Sequence, residues 1–475
     1  MAPPLFGQQK RMSRETFIGI VAEQGSTKSD WNGLFKYDHV KGYRGSILST
    51  TYRPEVGKDI LSIPKELDRA VLYCVLDGSQ FGTAVWPELR GAQLKNFVAE
   101  IRELRIKTLI RGVHIGSAER HIKQIKVDSP ILAQLFGLRA FEETIQRSPS
   151  YKVTIESISR PEAEFSCAIG KVFVGVSGLY SPSLNRPAPT LKAKSYLRLE
   201  AHFDVIEAIR AVRKIEHLLS LLTFDFIKAT AVDFAIASQD AQGNWSEHSF
   251  PVERARINKK AKIRLKAHEI PLRLNEAPFA DILDRFFEVF DRIEQTLSWY
   301  RVVTAEERYL EDRFFYCVRM IEALYKVLPI HLSADKSALS EIKTILDVLS
   351  VSEKNRSSVE FLQKRAIPIF SKPSLLEIIS DIRARYAELK VVDILDHRII
   401  NRLRGKEAHG SSEPLSAREY QFMAHSSEIL RIVYVLIVLE YCGISRSFLF
   451  QHLNTSLKFQ YLFSEETARQ FRASI

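Results

Sequence analysis

Cysteine is scarce: Cys74, Cys167, Cys317 and Cys442 are the four in 475 residues, far apart, with no CxxC pair and no nearby Cys/His cluster. That distribution argues against a disulfide framework and against structural zinc. Each sits in an apolar run as a small buried side chain, which suits a reducing cytosol. Long apolar runs are missing too. The longest, Ile432–Leu439, stops at Glu440, far short of the roughly 20 residues a membrane span needs. Met1–Arg14 carries prolines and basic residues but no apolar core, so no signal peptide is expected. There is no P-loop, GxGxxG, HExxH or GxSxG, no internal repeat and no low-complexity tract. Trp31, Trp86, Trp245 and Trp299 form no stacking array. These absences lead to a cytoplasmic protein with no cofactor, no metal and no membrane partner.

What is present is ordinary globular material, 45% hydrophobic and 26% charged, long enough for two or more domains. The formal charge is +11. Such an excess leans toward an acidic partner, nucleic acid first and an anionic membrane surface second; its bland reading is solubility.

The chain divides by texture into an α+β arrangement. Over 1–272, short runs rich in β-branched and aromatic residues read as strands: Phe17–Val21, Ala70–Leu76, Lys107–Val113, Lys171–Val176, Tyr196–Ala201 and Thr230–Ala237. Helices are expected near Gln93–Glu103, at Ile131–Phe136 and at Phe203–Leu222. In the last of these, apolar residues recur every three or four positions. Over 273–475 the texture is helical: Phe279–Val302, Ala305–Leu328, Ala338–Leu349, Val359–Phe370, Ser374–Ala387, Val391–Glu407 and Ser416–Cys442. Ser416 with Glu419 makes a capping box, and Gly443 is a natural terminator.

Between the textures, Arg254–Lys266 carries seven cations and no acid. Over 260–266, Lys260, Lys262, Arg264 and Lys266 alternate with apolar residues as on a half-buried strand with one basic face, and Lys259 adjoins it. Two readings stand: a solvated edge strand guarded by lysines, or a surface that contacts phosphates.

Asn401–Gly410 holds the most informative pair, Arg404 and His409. A guanidinium can stabilise charge developing on phosphorus, and an imidazole moves protons near neutral pH. Arg446…His452, Arg418…His425 and Arg210…His217 have similar spacings, so spacing alone decides little. Residues five apart lie about 140° apart on a helix, so Arg404 and His409 do not converge on a regular one. Either the helix loosens near Gly405 and ends around Gly410, or two protomers share a site. His409 at a helix end would also sit well in the dipole field. Ile399, Ile400 and Leu403 make an apolar edge, leaving Arg402, Arg404 and Lys406 toward a polar side. His114 reads as a core or turn histidine.

Arg404-Gly405-Lys406-Glu407-Ala408-His409-Gly410, before a last long helix, resembles the Arg-x4–6-His motif of the HEPN superfamily, and more closely its Apea-like family. Phe314–Leu324, with Glu322 inside an apolar helix, looks like that family's first long helix. Glu428–Ile444 looks like its closing one. Thr108–His114, Ile122–Val127 and Leu132–Leu138 are similar to the ApeA N-terminal domain. The resemblance implies a metal-independent endoribonuclease, such as a toxin-like antiphage effector acting by abortive infection on cellular RNA, tRNA included, and working as a homodimer. His409 would transfer protons, Arg404 would stabilise the pentavalent phosphate, and the RNA 2′-hydroxyl would be the nucleophile. Asn401 or Arg402 (at x6 spacing) would orient the histidine or the phosphate, or nothing would. Glu322 would partner the arginine at the site or, as the simpler reading, face solvent or cap a buried arginine. Lys406 would join the basic strand in holding RNA. A phage-derived trigger or inhibitor protein would be a partner. Gly405 departs from the family, which commonly has a polar residue there. A catalytically silent module binding RNA or a protein is the alternative; a toxin with a separate nucleotidyltransferase partner is a third.

Overall fold

The computed structural model describes residues 15–21, 31–38, 42–49, 71–76, 80–85, 88–95, 99–106, 108–113, 115, 122–139, 141–146, 152–157, 162–181, 190–239, 245–254, 272, 274, 276–305, 308–328, 344, 373–408 and 414–474. They form an α+β protein. By contacts it divides into one unit of Met1–Glu216, Ile227–Arg264 and Leu274–Ala280, and another of His217–Phe226, Leu265–Arg273 and Asp281–Ile475.

The first unit contains the strands β1 (Glu15–Val21), β2 (Trp31–Asp38), β3 (Gly42–Ser49), β4 (Val71–Leu76), β5 (Gln80–Val85), β6 (Glu88–Lys95), β7 (Ala99–Ile106) and β8 (Thr108–Arg111). It continues with β9 (Ile122–Asp128), β10 (Phe141–Gln146), β11 (Lys152–Ser157), β12 (Glu162–Cys167), β13 (Gly170–Ser181), β14 (Thr190–Phe203), β15 (Ala231–Gln239) and β16 (Trp245–Arg254). Fourteen pair in the order β12-β13-β14-β9-β15-β16-β8-β5-β4-β1-β2-β3-β7-β6, and β10 and β11 form a separate hairpin. Alternation explains the core. Two apolar rows, Ala163–Val174–Leu197–Val127–Val232 and Phe165–Val172–Leu199–Ile125–Phe234, run straight across five strands, and all ten side chains are buried. The row between them is Glu164–Phe173–Arg198–Lys126–Asp233. A one-residue slip would exchange the two faces, so the pattern fixes the register. The short helix α1 (Ile131–Phe136) packs on β13 and β14, with the Phe136 ring edge-on to Phe279 at 4.9 Å.

Helix α2 (Val205–Thr223) starts where the Asp204 carboxylate accepts the Ile206 and Glu207 amides at 2.7 and 2.8 Å. Glu207 returns the favour to the Asp204 amide. This Asp-x-x-Glu start is a reciprocal cap.

The helix expected near Gln93–Glu103 is instead the β6–β7 hairpin, with Gln93 opposite Ile101 and a register shift between Arg90 and Ala92. β7 also pairs with β3. Pairing on both sides overrides a local helical pattern, because strand preference depends on neighbours more than on the segment itself.

The second unit is helical: α3 (Glu276–Ala305, joining it at Asp281), α4 (Leu310–Val327), α5 (Leu375–Arg385), α6 (His397–Ala408), α7 (Ala417–Tyr441), α8 (Arg446–Thr455) and α9 (Glu465–Ser474). α7 is the core element. It is long and apolar enough to cross a membrane, yet its most apolar stretch is 83% buried within the fold. The capping box at Ser416 and Glu419 starts it. A Schellman turn stops it: Gly443 (φ 96°) and Ile444 donate to Glu440 and Leu439. A Cβ at Gly443 would lie 2.6 Å from Arg285. The helices expected at Ala338–Leu349 and Val359–Phe370 lie outside the described residues except for Thr344, which is helical.

Arg254, the first cation of the basic stretch, is committed to structure. It donates to both Glu216 oxygens at 3.1 and 2.8 Å, and the pair is nearly buried. Glu216 also accepts the Ala229 amide at 2.8 Å. Burial pushes the Glu216 carboxyl up, but Arg254 prevails and holds it below its ordinary value. The ionised pair therefore contributes stability above the unfolded carboxylate range and loses it as pH falls through the folded value. Arg254→Ala should cost about 3–5 kcal/mol at pH 7, because it strands a buried charge. The cost should shrink toward pH 4, where the stranded carboxyl is protonated. Urea unfolding at both pH values measures it, and a cost that grows on acidification would contradict the assignment.

Candidate active site

The residues from Val391 to Glu407 do not form one helix. Lys390–Ile394 is a 3-10 turn, and α6 starts afresh at His397. Asp396 makes the break by accepting the Arg398 and Ile399 amides at 2.7 and 3.4 Å, satisfying two donors that the first helical turn leaves open. Ile400 and Leu403 are buried, which fixes the rotation of α6 and the direction of its cations.

Those cations separate into two groups. Arg404 Nη1 donates to Glu322 Oε1 of α4 at 2.6 Å, both side chains partly buried. Arg402 and Lys406, four residues apart and so on one face, both reach Glu419 Oε1, at 3.5 and 3.2 Å. Two residues turn a helix by about 200°, so Arg404 faces away from that pair. The structure thus joins Arg404 to Glu322, and Arg402 to Lys406, but does not bring the two groups together. Asn401 is exposed.

Glu419 carries two tasks. Its Oε2 accepts the Ser416 amide and hydroxyl at 2.8 and 3.1 Å, completing the cap, while Oε1 meets the two cations. The Ser416 amide first, then Lys406, hold its carboxyl below the ordinary range. Sequence reasoning assigned Glu419 to the cap alone. The charged partner of the Arg402/Lys406 face carried no local signal, because Glu419 lies on the next described helix, 13 residues beyond Lys406.

The three rival Arg/His pairs are accounted for by structure. Arg446 grips both Glu440 oxygens at 3.0 Å, and His452 Nδ1 lies 2.9 Å from the Phe448 carbonyl. The His425 ring stacks on Phe471 at 3.8 Å, where burial lowers its basicity. His217 is buried beside Phe290. His409 itself lies outside the described residues, as do His114, Lys259, Lys260, Lys262 and Arg264.

No family model, curated protein or solved structure matches this chain.

Of the two alternatives, a helix that loosens near Gly405 or a site shared by two protomers, the first is not what is seen at Gly405: α6 runs through it to Ala408. A Cβ there meets nothing within 4 Å. Glycine in a helix interior costs roughly 0.5–1 kcal/mol relative to alanine. Gly405→Ala should therefore stabilise the protein by about that amount. Chemical denaturation checks it, and a loss of stability would show that the glycine is sterically required.

Proposed function

We propose that the chain is a metal-independent ribonuclease of the HEPN type, with His409 transferring protons and Arg404 stabilising the phosphate. The observation that carries this reading is the 2.6 Å contact between Arg404 and Glu322. It supports the reading in two ways. The contact holds one guanidinium of the motif in a defined direction, and the two residues come from the two stretches that resemble the family. Among the rival pairs Arg446 is likewise held by a glutamate, Glu440, but the histidines are turned elsewhere: His452 to the Phe448 carbonyl, His425 onto the Phe471 ring and His217 into the core. Among the described residues no group of three metal-ligating side chains occurs, and the chemistry proposed needs none.

In this mechanism the RNA 2′-hydroxyl attacks the adjacent phosphorus, and the 5′-oxygen of the next nucleotide leaves. The products are a 2′,3′-cyclic phosphate and a 5′-hydroxyl. The imidazole takes the proton from the 2′-hydroxyl and then, as imidazolium, gives it to the leaving 5′-oxygen, and the guanidinium balances the extra charge on the pentavalent phosphorus. Growth arrest by cutting cellular RNA, during phage infection, is the biological role we attach to it. A symmetric dimer through the helical unit would bring two such pairs together. The competing reading, a silent module that binds RNA or a protein, draws on the same contact, because Arg404 already has a carboxylate partner.

Cleavage should persist in EDTA and yield 2′,3′-cyclic ends. His409→Ala should lower the rate by about 10²–10⁴ with little change in RNA affinity. Activity lost on chelation and restored by Mg²⁺ would end the proposal. So would a His409→Ala protein as active as wild type.

A further inference from the structure

Resting on the ribonuclease reading, we infer that Arg402 and Lys406 form a second phosphodiester-binding subsite, and that Glu419 occupies it until RNA arrives. The geometry is specific. Two cations four residues apart on α6 converge on a single carboxylate oxygen, Glu419 Oε1, at 3.5 and 3.2 Å. An oxygen of a phosphodiester can take the place of that atom, since it offers the same charge and accepts the same donors.

The carboxylate is suited to give way. Its other oxygen stays anchored on Ser416 through the capping box, so releasing Oε1 does not undo the start of α7. The cations are also unequal in exposure. Arg402 is 59% exposed against 26% for Lys406, so an incoming backbone meets Arg402 first. The Arg402 contact is the looser of the two, 3.5 Å long and made by a side chain mostly in water, whereas Lys406 and Glu419 are partly buried, so a phosphate displaces the Arg402 contact first. Arg404 faces the other side of α6, toward Glu322. The subsite therefore grips a phosphate other than the one being cleaved, and Glu419 acts on affinity rather than on the chemical step.

The test uses the full chain carrying His409→Ala and a labelled 2′-O-methyl oligoribonucleotide, which has no nucleophile. Glu419→Gln keeps the capping box, for which glutamine is competent, and removes the competing charge. It should bind about three- to tenfold tighter at low salt, with the gain fading by about 0.3 M salt as screening sets in. Adding Lys406→Gln should cancel the gain. Ser416→Ala, which weakens the cap without changing charge, should bind like the parent. Unchanged or weaker binding by Glu419→Gln overturns the inference, as does an equal gain in Ser416→Ala or no binding by either protein. Because these readouts are affinities of an uncleavable ligand, failure here is distinct from failure of the cleavage assay in EDTA.

Discussion

A guanidinium sits in the middle of the most apolar helix of the chain. Every residue of α7 from Ile429 to Leu439 is buried, and Arg431 is the one charge among them. Taking an isolated ion out of water costs several kcal/mol, so such a residue persists only where its donors are met. Here they are. Nε and Nη2 clasp Glu428 at 3.1 and 2.6 Å, and Nη1 reaches the Phe224 carbonyl at 2.7 Å. Burial pushes the Glu428 carboxyl up and the Arg431 guanidinium down, yet each partner keeps the other charged. Phe224 holds a left-handed backbone, φ 53°, which costs a non-glycine residue roughly 1–2 kcal/mol. Its carbonyl bond to Arg431 and its ring contact with Phe459 at 5.1 Å hold it there.

From that centre the helical unit is aligned. Arg313 of α4 joins Glu428 at 3.0 Å. Glu311 and Phe314 near the start of α4 meet Tyr420 and Phe422 near the start of α7, and Tyr325 near the end of α4 faces Glu440 near the end of α7, so the two helices run in the same direction. α3 runs the opposite way: Thr296 meets the Tyr434 hydroxyl, Tyr300 stacks on Tyr434, and Arg292 reaches Tyr441. Sliding α7 by one turn would break the Arg313 and Arg431 contacts together. The alignment also places the candidate site. Glu322 stands nine residues beyond Arg313 on α4, and Glu419 nine before Glu428 on α7, about 13 Å each along ideal helices. α6 reaches both carboxylates with cations on opposite faces, so its rotation is set by charge as well as by Ile400 and Leu403.

Local signals in the sequence carried part of this. Strands such as Lys171–Val176 and Tyr196–Ala201 were legible from their β-branched and aromatic residues, with Val172, Val174, Val176, Leu197 and Leu199 forming the buried face. The α2 and α7 helices were legible from apolar spacing, and the start of α7 from Ser416 and Glu419. The β6–β7 hairpin was not, since its pairing with β3 is a distant fact. The break at Asp396 had a local signal, an aspartate two residues before the first amides it caps, but an apolar run on both sides masked it. Helices α8 and α9 follow Gly443, where a terminator for α7 hid the restart at Ser445. In the site, the identities of Arg402, Arg404 and Lys406 could be read from sequence, but their separation into two faces with two carboxylates could not.

The charge of the chain then takes a different meaning. A surplus of +11 suggests a standing basic surface, yet the described cations closest to the motif already hold carboxylates: Arg404 with Glu322, Arg402 and Lys406 with Glu419. Arg254, which opens the basic stretch, is spent inside the first unit on Glu216. Binding a phosphate at such a site would exchange one anion for another rather than fill an empty basic groove. Affinity from exchange is a difference between two similar Coulomb terms, so it is smaller than the number of cations suggests. What it would gain is selectivity: a single stray anion must compete with an anchored carboxylate, whereas a polymer presenting several phosphates could displace Glu419 while held by its other contacts.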